Sequence, residues 1–285
     1  MAINVQHFFD PTTYTLSYIV FDNESKDAIV IDPVWNYEQA ASKTSKESIH
    51  ELLKFIESNK LNIHYILETH AHADHITGAI ELKKEIESAK IGISENIKLV
   101  QQTFKTVYNL ENFAVDGSQF DLLLTDSQEI SCKSFTVKVI TTPGHTPACC
   151  SFLIDKYLFT GDALFMPDYG TGRCDFPLGS AKDLYHSVHE KIYTLSDDIE
   201  FFTGHDYQPN GRELRFKSTI GESKGCNIQL KAETSESEFV KFRTDRDALL
   251  NAPKLLYPSL QVNITGGRLP LEDVSGKRFL KIPIK

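Results

Sequence analysis

Three imidazoles and a carboxylate crowd into Thr69-His70-Ala71-His72-Ala73-Asp74-His75, directly after the apolar run Ile63, Tyr65, Ile66, Leu67. That run reads as a strand and residues 76–82 read as the start of a helix, so the cluster occupies the turn between them. Such a turn can aim several side chains at one point. Imidazole and carboxylate are ligand types favoured by zinc and non-haem iron, which makes a metal site the first expectation, with a solvated His-rich loop as the plain alternative.

Three more polar positions follow apolar strands in the same way. Residues 137–142 run into Pro143-Gly144-His145, residues 157–160 into Gly161-Asp162, and residues 199–203 into Gly204-His205. A glycine ahead of each ligand type permits a sharp turn or a close approach. Four strand ends would then deliver His70, His72, Asp74, His75, His145, Asp162 and His205 to one edge of a sheet structure.

The remaining pattern supplies that structure. Residues 14–21 and 28–32 predict a hairpin around a polar turn, residues 35–45 an irregular polar stretch, and Ile49, Leu52, Leu53 and Ile56 one face of a helix. A helix over about 76–88, a strand over 90–93 and a helix near 95–108 follow the cluster. A second block of strands spans residues 120–124, 135–140, 151–154 and 157–160. Ser180 with Asp183 three positions on predicts a helix start, carried through Leu184, Val188 and Ile192, before the strand at 199–203. Two strand blocks, each with helices for one face, imply an α/β (α+β) fold arranged as an αββα four-layer sandwich. The expected organisation is one domain over residues 1–210 and a C-terminal extension, 211–285, packed on it. Within the extension, residues 235–238 form a capping-box pattern.

Thirty basic against 39 acidic residues give a net charge of −9, which disfavours nucleic acid and anionic membranes as partners. No run approaches the roughly 18 apolar residues of a membrane span, and residues 1–7 lack a basic segment followed by an apolar one. A cytoplasmic protein is expected. The five cysteines, Cys132, Cys149, Cys150, Cys174 and Cys226, contain no CxxC pair and are expected to be free thiols, with one of Cys149 and Cys150 facing the core.

The combination of residues 69–75 (HxHxDH), Thr142-Pro-Gly-His145, Thr160-Gly-Asp162 and Gly204-His205-Asp206 resembles the metallo-β-lactamase superfamily over roughly residues 13–210. The resemblance implies the αββα fold and leaves two enzymatic readings. In a glyoxalase II-like thioester hydrolase, His70, His72 and His145 would hold one metal, Asp74, His75 and His205 a second, and Asp162 would bridge. In a persulfide dioxygenase, His70, His145 and Asp162 would hold one Fe(II) per chain, leaving His72, Asp74, His75 and His205 around it. Zinc can substitute at such ligands. Residues 161–164, 172–176 and the fuller stretch 166–177 resemble the persulfide dioxygenases and their bacterial β-lactamase hydrolase-like branch, as do His145-Thr146 with Cys149, His205-Asp206-Tyr207 and residues 237–240. The resemblance thus implies glutathione persulfide and O2 as substrates and is compatible with a homodimer. Arg173 and Tyr207 are the expected catalytic groups, with Arg173, Asp175, Tyr169 and Tyr207 around the substrate. Arg173 would either grip a substrate carboxylate or pair with Asp175. The segment 34–46 and the loop between Asp162 and Arg173 are longer than in compact family members. A non-catalytic metal-bearing sensor or interaction protein is a third class, which would be expected to have lost ligands; all seven are present.

Overall fold

The computed structural model describes residues 2–284. In chain order the elements are β1 (Ile3–Asp10), β2 (Thr15–Asp22), β3 (Asp27–Ile31), β4 (Val34–Glu38), β5 (Lys43–Ser45), α1 (Glu47–Asn59), β6 (Asn62–Leu67), β7 (Ile76–Thr77), α2 (Ala79–Glu85), β8 (Lys90–Ser94), α3 (Ile97–Val107) and β9 (Leu122–Leu124). They continue with β10 (Glu129–Cys132), β11 (Phe135–Thr141), β12 (Cys150–Ile154), β13 (Tyr157–Gly161), α4 (Ala181–His186), β14 (Glu200–Thr203), β15 (Lys217–Thr219), α5 (Ile220–Cys226), α6 (Glu236–Asp247) and α7 (Leu256–Asn263).

Two six-stranded sheets carry the fold, ordered β1-β2-β3-β6-β8-β9 and β10-β11-β12-β13-β14-β15. In the first, β1 to β3 are antiparallel, and β3, β6, β8 and β9 run parallel. In the second, only β13 and β14 pair in parallel. Because side chains alternate across a strand, each sheet has two apolar faces to cover. Leu16, Tyr18 and Val20 of β2 meet Val137, Val139, Phe152 and Phe159 between the sheets. Their neighbours Ile19 and Phe21 turn the other way, onto α1, α2 and α3 through Ile49, Leu82 and Val100. On the far side, Leu158 and Phe201 of the second sheet are covered by Leu184, Val188, Ile220 and Phe239. The four layers are therefore helices, sheet, sheet, helices, as the strand blocks predict.

Local signals behave as expected at several points. Ser180 accepts from Asp183 N at 3.0 Å, and Ser235 with Glu238 forms a reciprocal capping box. Ile49, Leu52 and Ile56 are the buried face of α1. The helix opened at Ser180 widens into π-helical turns over Ser187–Ile192.

Three expectations are corrected. Residues 35–45 are not irregular, since β4 and β5 form a hairpin that with β7 makes a small third sheet. Its cause is apolar: Trp35 packs with Ile76 and Val262. For the same reason Ile76 and Thr77 are a strand pairing with Val34 and Trp35, and α2 begins only at Ala79. Finally, Cys149 and Cys150 are both buried, along with Cys132 and Cys174, while Cys226 is exposed and all five are free.

The C-terminal residues complete the sandwich. The strand β15 pairs with β14, and α7 is tied to α3 by Tyr108 Oη donating to Tyr257 O at 2.8 Å and Gln101 Nε2 to Ile264 O at 2.9 Å. Among the described residues, no helix is long and apolar enough to cross a membrane.

Phe152 is fully buried between the sheets. Phe152→Ala should destabilise the protein by about 3–5 kcal/mol, read as a lowered midpoint in denaturant melts at unchanged slope.

Candidate metal centre

Four strand ends converge on one edge of the sandwich. The 69–75 loop follows β6, His145 follows β11, Asp162 follows β13, and His205 follows β14. Backbone bonds stitch these ends together: Cys150 N donates to Thr69 O and Leu16 N to Gly204 O, both at 2.9 Å and both between the two sheets, and Gly204 N donates to Gly161 O at 3.1 Å within the second. Two glycines are required by this closeness. Gly161 has φ +51, and a Cβ there would lie 2.6 Å from Thr69 Oγ1; a Cβ on Gly204 would lie 2.8 Å from Asp162 Oδ1.

Each histidine has one ring nitrogen committed to a neighbour. His145 Nδ1 donates to Arg173 O at 2.6 Å, and His205 Nδ1 to Tyr14 O at 3.2 Å; a carbonyl only accepts, so the proton lies on Nδ1 in both. Thr69 Oγ1 donates to Asp32 Oδ2 at 2.7 Å and so accepts from His70 Nδ1 at 3.0 Å. His72 reaches its carboxylates through Nε2, 3.1 Å from Asp32 Oδ1 and 3.3 Å from Glu68 Oε2. His75 Nδ1 lies 3.3 Å from Thr15 Oγ1. The opposite nitrogens are left to face inward. Among the described residues, His70 Nε2, His72 Nδ1, His75 Nε2, His205 Nε2, Asp74 Oδ2 and Asp162 Oδ1 are buried without a hydrogen-bond partner. Six such atoms at one spot would be costly in a finished structure, and bound cations would satisfy them. The residues present therefore fit a bound metal.

The ligand atoms fall into two groups, each within 4.8 Å: His70, His145 and Asp162, and His72, Asp74, His75 and His205. A third set, Asp32, Glu68 and His72, lies beneath them.

The charges follow from burial and neighbours. Burial pushes the His70 and His75 imidazoles down. Burial acts the same way on His72, but Asp32 and Glu68 outweigh it and hold that imidazole well above its usual range. At His205 burial is likewise overcome by Asp74 and Asp162, whose oxygens lie 3.2 and 3.5 Å from Nε2. Burial raises Asp74, yet His205 and His75 bring it well below an ordinary carboxylate. Burial lifts Glu68 to about 7. The Cys149 thiol is pushed up to about 12 by burial, so by itself it keeps its proton.

A cleft of about 540 Å³ opens onto Asp74, His145 and Asp162, and Tyr169, Arg173 and Tyr207 line it. Tyr207 stacks on His205 with ring centroids 5.5 Å apart and packs at a tilt against Tyr169 at 4.8 Å. Burial, with Asp162 and Asp74 nearby, holds its phenol well above the usual range, so it keeps its proton. Arg173 grips Asp175 with two bonds, of 2.5 and 2.6 Å, and donates to Asn251 O at 2.7 Å. Of its five N–H groups two are left over.

Several residues that support this centre carry no motif. Asp32 and Glu68 would have been visible only as acids flanking an apolar strand. Asn263 of α7 donates to His72 O and His75 O, both at 2.8 Å, and accepts from Thr77 N at 2.9 Å. Buried Arg243 of α6 bonds Thr171 O, Gly172 O, Gln229 Oε1 and Asp247 Oδ1, and Asp247 holds Cys174 N at 2.7 Å. Arg212 joins Asp168 to Asp206 with bonds of 2.5 to 3.0 Å, clamping the residues after Asp162 to those after His205.

Residues 11–205 match the metallo-beta-lactamase superfamily. The chain belongs to that superfamily of metal-dependent enzymes. Among its relatives, Glyoxylase B2 of Dictyostelium discoideum is 45% identical over 98% of this chain and 96% of its own length. A beta-lactamase hydrolase-like protein of Agrobacterium fabrum is 40% identical over 99% of this chain and 64% of its own. The mitochondrial persulfide dioxygenase ETHE1 of Homo sapiens is 35% identical over 88% of this chain and 83% of its own. The crystal structure of ETHE1 from Myxococcus xanthus superposes with a TM-score of 0.75 at 28% identity, covering 93% of this chain and all of that one. This metallo-β-lactamase chain thus shares its frame with relatives bearing both kinds of name.

Because neighbouring carboxylates hold the His72 and His205 imidazoles above their usual range, an ion that takes either as a ligand should release protons on binding. Zinc affinity in chelator competition should rise about tenfold per pH unit for each proton displaced, between about pH 6 and 8. A flat response would exclude both as ligands.

Proposed function

We propose that this chain is a persulfide dioxygenase, oxidising glutathione persulfide with O2 to sulfite and glutathione at one Fe(II) held by His70, His145 and Asp162. The observation that carries the reading is the convergence of those three ligand atoms within 4.8 Å, a two-histidine, one-carboxylate set that non-haem iron favours, at the floor of the cleft. The stretch Gly172-Arg173-Cys174-Asp175-Phe176 and the ETHE1 relatives support it.

Atoms balance as persulfide plus O2 plus water giving thiol plus sulfite and protons. The terminal sulfur is oxidised, O2 is reduced, and the S–S bond breaks with glutathione leaving. Ferrous iron, when bound, supplies the redox centre and open positions at which O2 and a sulfur donor meet. The protein's own contribution is placement. Tyr169 and Tyr207 form an aromatic wall that limits water beside the reacting sulfur, and Tyr207, as a phenol, donates a hydrogen bond to it. Arg173, fixed by Asp175, offers its two remaining N–H groups to a substrate carboxylate. His72, Asp74, His75 and His205 provide a buried polar surround. Five free cysteines suit a reducing, cytoplasmic setting.

One observation favours a second reading. His72 Nδ1, Asp74 Oδ2, His75 Nε2 and His205 Nε2 are as free as the first group, so the chain is equipped for a second ion and for thioester hydrolysis, in keeping with the Glyoxylase B2 relative. Oxygen uptake with glutathione persulfide after anaerobic Fe(II) loading, run beside hydrolysis of S-D-lactoylglutathione, separates the two. Sulfite should form in step with oxygen consumed, with negligible hydrolysis. About two zinc ions per chain together with brisk hydrolysis and no oxygen uptake would sink the proposal. Iron titration of variants gives a second check: His145→Ala should abolish iron binding, and His75→Ala should largely retain it.

A further inference from the structure

The cleft above His145 and Asp162 has two charged walls, and neither belongs to the metal loops. One is the β4–β5 hairpin, which contributes Glu38; the other is the stretch from the end of α6 to α7, which contributes Arg246 and Lys254. The other two cations of the cleft have protein partners, although Arg173 keeps two N–H groups for one substrate carboxylate. Arg173 is held by Asp175 and Asn251, and Arg243 is buried among Thr171, Gly172, Gln229 and Asp247. Among the described residues, the side chains of Glu38, Arg246 and Lys254 make no hydrogen bond or ion pair, although all three line this one cavity.

Opposite charges that share a cavity without closing on each other leave room for a ligand bearing both signs. We propose that Glu38, with Arg246 and Lys254, sets the substrate class, a dipolar peptide-like thiol whose ammonium is taken by Glu38 and whose second carboxylate, the one Arg173 does not hold, is taken by Arg246 and Lys254. A guanidinium beside an ammonium group suits a carboxylate, the first by bidentate pairing and the second as a point charge. Glu38 sits on the β4–β5 hairpin, so the ammonium contact is a property of that segment. The inference rests on the reading of the cleft as the seat of a small thiol derivative, and it applies to persulfide and thioester alike.

An unreactive probe tests it without chemistry. Binding of S-methylglutathione to the metal-loaded protein is measured by titration calorimetry, beside N-acetyl-S-methylglutathione, which lacks the ammonium, and the glycine amide of S-methylglutathione, which lacks one carboxylate. Each change should weaken binding to the unaltered protein by about threefold to tenfold, the range of partly exposed charge pairs. In Glu38→Gln, acetylation should bring no further loss while amidation still does. In the double variant Arg246→Met, Lys254→Met the pattern should reverse. Equal binding of all three probes, no binding of S-methylglutathione, or penalties that persist unchanged in both variants would overturn the proposal. Oxygen uptake with glutathione persulfide stands apart from this: turnover with no charge discrimination removes the recognition alone, and discrimination without turnover removes the dioxygenase reading alone.

Discussion

Asp32 is the anchor on which the metal edge depends. It ends β3 in a left-handed conformation, φ +48, with its carboxylate almost wholly buried. A carboxylate in that position is tolerable only when its oxygens are hydrogen-bonded, and here the donors are Thr69 N and Oγ1, both at 2.7 Å, and His72 Nε2 at 3.1 Å. One acid therefore fixes the first residue of the loop and two of its histidines, His72 directly and His70 through Thr69. Second-layer acceptors of this kind decide which ring nitrogen faces a metal.

Residues 217–263 act as part of the sandwich rather than as a covering. The strand β15 extends the second sheet, Arg243 and Asp247 hold the segment after Asp162, and Asn263 satisfies the backbone carbonyls of His72 and His75. Each contact joins residues far apart in sequence, and each replaces water at a backbone group that would otherwise be buried unpaired.

Much of the frame was legible because its signals are local. Apolar, β-rich runs marked β2, β3, β11 and β13, caps marked α4 and α6, and glycine followed by His or Asp marked the strand ends. The strand β1 was not, because as an edge strand it is only half-buried and its apolar pattern is diluted by Asn4, Gln6 and His7. Nor was the β4–β5–β7 sheet, whose pairing depends on Trp35 reaching Val262, a contact with no local trace. At the metal edge, the side chains that converge follow from motif spacing. Asp32, Glu68 and Asn263 do not, since an acid or amide beside a strand or within a helix looks the same whether it holds a loop or faces solvent.

The bonds from Asn263 to His72 and His75 span 191 and 188 residues. Contacts of such separation form late, because the chain between them must first be ordered. On a ribosome, the sheets can assemble and the histidines can gather while α7 is still unsynthesised, but the loop that carries them stays open at two carbonyls. Until the end of α7 is in place, the loop that carries the histidines lacks two of the bonds that hold it in the finished fold.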